Sequence, residues 1–585
     1  MEIKRVFDVL PYQLQHFPQD DCMVAKIEGR WEKQSTQEVI NTVNLLSLGL
    51  LKAGIKKNDK IAIVAMNRPE WLIADQGIQQ VGAVSVPMYP TITVEDYRYI
   101  FREAEVKMIF VSGSALYNKV MAATADIEGI QEVYTFDEVP GARHWRELLD
   151  QSDLKDISQL EPIKAAIDPE DLFTIIYTSG TTGNPKGVML THHNLISNVR
   201  SCQPYVPVDN THRALSFLPL CHIYERMLTA LYISVGVSIY FAEGMETIAD
   251  NLKEVKPHVF STVPRLLEKV YDKIVSKGMD LTGVKRGLFF WALNLGLQYD
   301  NQNRTPWYNA QLALANKLIF NKWREALGGN VIAIVSGGAA LQPRLARVFW
   351  AAQIRVMEGY GLTETSPVIA VNRHNPDENV IGTVGPLVDD VEVKIAPDGE
   401  ILTRGPHVMK GYYNRPDLTA EVIDPEGYFH TGDIGEFVHG KYLKITDRKK
   451  EMFKTSGGKY IAPQMIENKL KESLVIEQAM VVGEGQKFPS ALIVPSFTGL
   501  QDWCKLHNIE YTTNTEMIEH PEVLNKYKKE IAKFNEQFAQ WEQIKKFKLV
   551  PNGWTVESGE LTPSLKLKRK IIYNNYRDLI EGLYK

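Results

Sequence analysis

An α/β fold with largely parallel sheets, followed by a small second domain, is predicted by three observations along these 585 residues. Apolar runs alternate with helical patterns through the first two-thirds of the chain. Between about 382 and 442 the texture changes to short strands broken by Gly, Pro and Asp. A polar, charged segment, Thr446-Asp-Arg-Lys-Lys-Glu451, then precedes a last stretch of about 135 residues with strands and helices of its own.

The clearest buried strands are the apolar runs at 61–65, 107–111, 172–177 and 331–335, too short for helices and rich in Val and Ile. Helical spacing at 36–53 and 71–81 falls between such runs, as parallel pairing requires. The runs Val391-Glu-Val-Lys-Ile395 and Glu400-Ile-Leu-Thr403 belong to the short-strand region, which reads as a small β-barrel or distorted sheet. The length requires at least two domains.

Composition narrows the function classes. With 44% hydrophobic and 23% charged residues the chain has a soluble globular composition, and a net charge of −5 gives no case for a nucleic-acid partner. The first eight residues lack the apolar core of a signal peptide. The longest apolar stretch, 287–297, is too short to span a bilayer, so any membrane association is expected to be peripheral. Cys22, Cys202, Cys221 and Cys504 are scattered without CxxC spacing, which argues against a disulfide framework or a zinc site. A reducing cytoplasm, with a peripheral station at the inner face of the membrane, is the expected location.

The string Tyr177-Thr-Ser-Gly-Thr-Thr-Gly-Asn-Pro-Lys-Gly-Val188 follows a buried strand and combines three glycines, four hydroxyl side chains and one lysine. Glycines let backbone N–H groups approach an anion; Thr178, Ser179, Thr181 and Thr182 add donors, and Lys186 adds a point charge. Such loops are usually only turns, but this density after a strand suits a polyphosphate. It is not a Walker A loop, because Gly187 follows Lys186.

The literal string resembles the signature of the adenylate-forming superfamily of acyl-CoA synthetases, peptide-synthetase adenylation domains and luciferases. Companion motifs of that superfamily appear in order: Leu218-Pro-Leu-Cys-His-Ile223, Ser336-Gly-Gly-Ala-Ala-Leu341, Gly359-Tyr-Gly-Leu-Thr-Glu-Thr-Ser-Pro367, Tyr428-Phe-His-Thr-Gly-Asp433, Asp447-Arg-Lys-Lys-Glu451 running to Gly457-Gly458, and Leu561-Thr-Pro-Ser-Leu-Lys-Leu-Lys-Arg569. The resemblance implies a large N-terminal domain, residues 1–447, of two α/β subdomains plus a small β-barrel. A small mobile α+β C-terminal domain, residues 448–585, would follow as a lid carrying the catalytic lysine.

It also implies an ATP/AMP site at Thr178, Ser179, Gly180, Thr181, Thr182, Gly183, Lys186, Gly337, Gly338, Ala339, Glu358, Gly359, Tyr360, Gly361, Thr363, Asp433, Arg448 and Lys566. Within it Tyr360 offers a flat face to adenine, Thr363 donates to the α-phosphate, and Glu364 is the magnesium carboxylate. Asp433 and Arg448 contact the ribose. Lys566, with Lys186, Thr363 and Glu364, forms the catalytic set; Leu565 stands where the family usually has glycine, and Lys568 is the rival lysine. His222 reads equally as an ordinary cleft histidine or as a contact to the acid's carboxylate or to a phosphate. Lys450 matches the hinge, and Gly457 and Gly458 would line the thiol's path.

The implied substrates are a carboxylic acid, ATP with Mg²⁺, and coenzyme A, with homodimerisation left open. For the acid, Phe260-Ser-Thr-Val-Pro-Arg-Leu-Leu-Glu-Lys269 and residues 317–328 resemble long-chain fatty acid–CoA ligases. Phe289, Phe290 and Trp291 in the insertion between them either guide an acyl chain from a bilayer or pack an extra helix. Arg226 stands where some long-chain relatives carry a gating tryptophan. A fatty acyl-AMP ligase serving a carrier protein, a ligase for a different acid, and an inactive binding protein are the alternatives.

Overall fold

In the computed structural model, which describes residues 2–178, 184–562 and 565–585, two eight-stranded sheets carry the first two-thirds of the chain. The expected strands form as Lys60–Val64, Val106–Val111, Leu172–Thr178 and Ala333–Ser336, and the expected helices as Thr36–Lys52 and Pro69–Gln80. The first helix begins with a capping box, Ser35 and Glu38 each satisfying the other's backbone N–H. The second begins with Pro69, whose missing N–H costs nothing at a first helical position.

One sheet runs Val368–Val371, Val356–Gly361, Ala333–Ser336, Val259–Thr262, Arg213–Ser216, Ser238–Phe241, Met23–Ile27, Arg30–Gln34. Its interior pairs are parallel and its two edge strands antiparallel. The other runs Gly411–Tyr412, Lys186–Thr191, Leu172–Thr178, Val84–Pro87, Lys60–Val64, Val106–Val111, Glu132–Thr135, Arg143–His144. It too is parallel inside, but Lys186–Thr191 turns back antiparallel on Leu172–Thr178. Both faces of such sheets must be covered, which is why these strands read as unbroken apolar runs. One continuous core joins the flanking helices to both sheets, with Trp71, Phe110, Phe173 and Phe349 essentially sealed from solvent.

A four-stranded half-barrel sheet follows, from Glu392–Ile395, Glu400–Arg404, Phe429–Val438 and Tyr442–Arg448, where a small barrel was expected. The chain divides into two compact units, the smaller comprising 394–402, 430–438 and 443–585. Within it, Ile476–Val482, Ser490–Pro495 and Lys546–Leu549 form a mixed three-stranded sheet with a core of its own. Among the described residues no helix is long and apolar enough to cross a membrane.

Candidate active site

The parallel pairing of three strands of the first sheet ends level: Thr262 pairs with Ser336, and Ser336 with Glu358, beyond which the third strand runs on to Gly361. Crevices at the carboxyl ends of such strands are where open α/β sheets bind ligands. Here the chain leaves as Gly337-Gly338 beside Gly359-Tyr360, so the expected adenine residues are brought together. The Gly337 N–H donates to the Thr262 carbonyl, 3.1 Å. A Cβ at Gly337 would sit 3.1 Å from the Tyr224 ring, whose hydroxyl donates to the Val335 carbonyl at 2.8 Å. Tyr224 is thus a floor under the glycine turn, which the sequence did not mark. Gly338 takes a left-handed φ of +80, and Ala339 follows it exposed. A Cβ at Gly361 would lie 1.7 Å from the Pro367 carbonyl, so glycine is obligatory there.

Glu358 is buried, and burial pushes its carboxyl up to about 8 despite a hydrogen bond from the Leu341 backbone N–H. Its ordinary value is near 4.5, so between about pH 4.5 and 8 the folded protein holds a proton that the unfolded chain has released. Stability from this group is therefore fully present below pH 4.5 and is lost as pH rises through 8. Glu225, pushed up to about 7 by burial between Ser216 and Ser261, acts in the same direction. Glu358→Gln is expected to melt at a higher temperature than wild type at pH 8, with the gap closing toward pH 5. Parallel melting curves across that range would refute it.

Thr363, buried, and Glu364, partly buried, occupy a short turn held by a bond from the Leu362 N–H to Thr365 Oγ1, 2.9 Å. Lys186 begins the strand Lys186–Thr191 opposite Thr178, so the two flank the tip of the expected phosphate loop. Ser179, Gly180, Thr181, Thr182 and Gly183 lie outside the described residues. The strand Gly411–Tyr412 lies antiparallel on the other edge of Lys186–Thr191. It carries Tyr412, whose hydroxyl donates to Glu364 Oε1 at 2.9 Å and whose ring lies 4.9 Å from the Lys186 ammonium. A single carboxylate beside a threonine hydroxyl suits Mg²⁺, which takes one or two carboxylates and completes its shell with phosphate oxygens and water.

His222 caps the helix Ile223–Ser234, its Nδ1 accepting from the Tyr224 N–H at 3.2 Å. A structural duty thus fixes one nitrogen of this ring. Arg226, on the same helix, is 2% exposed. It pairs through two nitrogens with Asp75, donates to Thr174 Oγ1 and Ser85 Oγ at 2.8 Å each, and lies over the Phe173 ring at 4.7 Å. The position is therefore part of the packed core.

In the insertion, Phe289 is buried against Gly278 and Trp323, while Phe290 and Trp291 pack partly buried on the main core. These three residues pack a helix, Gly283–Leu297. The apolar side chains that do face outward nearby are Val284, Leu288, Trp307, Leu314 and Leu318.

In the smaller unit, the two expected ribose residues meet: Arg448 Nε lies 3.4 Å from Asp433 Oδ1, and Asp433 is buried. Lys450 is exposed in the turn after Tyr442–Arg448. Gly457 and Gly458 are exposed between the strands Phe453–Lys454 and Tyr460–Ile461, with Gly458 at φ +76 and no atom within 4 Å of a Cβ built there. Lys566 is half-buried in a small loop in which its N–H donates to Thr562 Oγ1 at 3.0 Å and its carbonyl accepts from the Thr562 N–H at 2.8 Å. Leu565 adopts φ +61 there, which explains the glycine usual at this place. Arg569 bridges Glu451 at 2.9 Å and Glu467 at 2.7 Å. Both glutamates anchor the loop; Glu451 closes a motif read from the sequence, whereas Glu467 gave no sequence signal.

Residues 10–413 match a family model described as AMP-binding enzyme, and 451–585 match one described as AMP-binding enzyme C-terminal domain. The chain is 32% identical to the long-chain-fatty-acid–CoA ligase FadD15 of Mycobacterium bovis, over 95% of this chain and 93% of that protein. It is also 32% identical to the human long-chain-fatty-acid–CoA ligase 1, over 96% and 83% respectively. Among solved structures, the adenylation domain of a carboxylate reductase from Mycobacterium chelonae superposes with a TM-score of 0.76 at 20% identity, covering 99% of this chain and 91% of that one.

Proposed function

This chain belongs to the AMP-binding enzyme family, and from that premise we propose that it is a long-chain fatty acid–CoA ligase. The observation that carries the reading is the similarity to long-chain-fatty-acid–CoA ligases over 95% of the chain, which spans both matched domains. A carboxylate oxygen of the fatty acid attacks the α-phosphorus of ATP, and the bond to pyrophosphate breaks. The thiolate of coenzyme A then attacks the acyl carbonyl of the mixed anhydride, releasing AMP.

The residues act mainly by positioning and by neutralising charge between two anions. Gly337, Gly338, Ala339, Gly359 and Tyr360 form the slot for adenine, and Asp433 with Arg448 takes the ribose hydroxyls. Lys186 and the loop at 179–183 hold the departing phosphates, while Thr363 donates to the α-phosphate. Glu364 would hold a magnesium ion, which when bound would supply further positive charge to the phosphate oxygens. Lys566 bridges the attacking carboxylate and the α-phosphate.

We place the domain boundary at 447/448, with Lys450 as the hinge about which the lid turns between half-reactions. Gly457 and Gly458 then line the path of the thiol. His222, which caps its helix through Nδ1, we assign to the part of the cleft that takes the acid's carboxylate. Any peripheral contact with a membrane we assign to the outward residues Val284, Trp307, Leu314 and Leu318 rather than to the packed aromatics.

A screen of AMP formation across acid chain lengths, with and without coenzyme A, tests the reading. Long acids are expected to dominate, since each methylene buried in an apolar tunnel contributes ~0.8 kcal/mol, and coenzyme A is expected to stimulate turnover. Preference for short or aromatic acids would overturn the substrate class. Turnover indifferent to coenzyme A would point instead to delivery to a carrier protein.

A further inference from the structure

The juxtaposition of Lys186, Tyr412 and Glu364 has a physical logic of its own. An ammonium and a carboxylate held close together tend to collapse into a direct ion pair, in which each cancels the other's usefulness to a ligand. Here a phenol stands between them. The Lys186 ammonium lies over the face of the Tyr412 ring, at a distance that suits cation–π attraction. The Glu364 carboxylate sits at the hydroxyl edge and receives a hydrogen bond on Oε1. Among the described residues Lys186 makes no ion pair.

Tyr412 is itself fixed. Its N–H donates to Thr419 Oγ1 at 2.9 Å, it pairs with Val188 in the strand register, and the next residue's N–H donates to the Gly187 carbonyl at 2.7 Å. The turn carrying Glu364 is tied to the same segment, the Met409 N–H donating to the Glu364 carbonyl at 2.8 Å. The ring is 6% exposed, and a ligand would meet the lysine and the carboxylate rather than the tyrosine.

We propose that Tyr412 is a positioning residue. It keeps the Lys186 ammonium and the Glu364 carboxylate apart and aimed, the one at the departing phosphates and the other, through Oε2, at the cation that accompanies them. The inference rests on the ligase reading above. It implies that the metal–nucleotide complex, and not the nucleoside half of the substrate, depends on this ring.

The test compares wild type, Tyr412→Phe and Tyr412→Leu in the full-length protein. Calorimetric titrations use AMP alone and the magnesium complex of an ATP analogue with a methylene bridge between the α- and β-phosphates. Tyr412→Phe keeps the ring and loses the hydroxyl. It is expected to bind the magnesium–analogue complex about tenfold more weakly, the effect of losing one hydrogen bond to a charged group, and to bind AMP as wild type does. Tyr412→Leu, which also removes the ring from beneath Lys186, is expected to lose more of the same affinity, again sparing AMP.

Equal weakening of AMP and the analogue in Tyr412→Phe would mean a merely structural role and overturn the proposal, as would no weakening of either. Acid-dependent pyrophosphate exchange by wild type is measured alongside. Its absence with every acid would refute the ligase reading itself, whereas exchange in wild type with an unaffected Tyr412→Phe would refute only the role of Tyr412.

Discussion

Lys566→Ala is expected to lower acid-dependent ATP–pyrophosphate exchange by about 10²–10³-fold, the effect of removing one aimed donor from a charge-developing centre. Thioester formation from supplied acyl-AMP is expected to survive, because that half-reaction makes no bond to the α-phosphorus. The structure sharpens the comparison with Lys568. Lys566 sits inside the closed loop with Thr562, whereas Lys568 caps the helix Arg569–Asn575, its N–H donating to the Glu560 carbonyl at 2.8 Å. Lys568→Ala is therefore expected to retain most exchange activity. Loss of exchange in Lys568→Ala with retention in Lys566→Ala would reverse the assignment, and equal loss of both half-reactions in Lys566→Ala would remove Lys566 from its proposed role.

Arg226→Leu carries the largest expected effect on stability. Asp75 and Arg226 are both about 2% exposed by side chain, and removing one member of such a pair leaves a buried charge without compensation. The cost in comparable pairs is ~3–5 kcal/mol. Thr174 and Ser85 would each lose a partner in addition. Thermal melting of the purified variant should show a lower first transition, or little folded protein should be recovered. The double variant Asp75→Leu/Arg226→Leu should regain much of the loss, because two apolar side chains replace the pair. A single variant melting with wild type would contradict this account of the core.

The sheet strands were legible because burial on both faces forces unbroken Val and Ile runs, and the helix from Thr36 because its apolar residues recur at helical spacing, whereas Pro69–Gln80 is buried nearly all round. Ends were less legible. Val331 and Ile332 read as strand, yet the paired element is Ala333–Ser336, since the Ile332 N–H is spent on the His258 carbonyl before the ladder begins. Within the site, Gly337, Tyr360 and Glu364 stood out because each lies in a contiguous motif. Tyr412 and Glu364 are 48 residues apart, Arg569 and Glu467 102 apart, and Arg226 and Asp75 151 apart. Such pairs leave no local trace, because each partner alone looks like an ordinary surface polar residue. Leu565 is the inverse case: a departure from the family pattern was visible, but its left-handed backbone was not.

The Arg226 grip also limits how this chain could be rebuilt for other acids. Arg226 joins the helix Ile223–Ser234 to Thr174 and Ser85 on neighbouring strands and to Asp75 on a second helix. A large aromatic introduced there would strand an aspartate and two hydroxyls at one stroke. Replacement of Arg226 by any apolar side chain, in the laboratory or in descent, must therefore be matched at Asp75, making the two positions a single unit of inheritance.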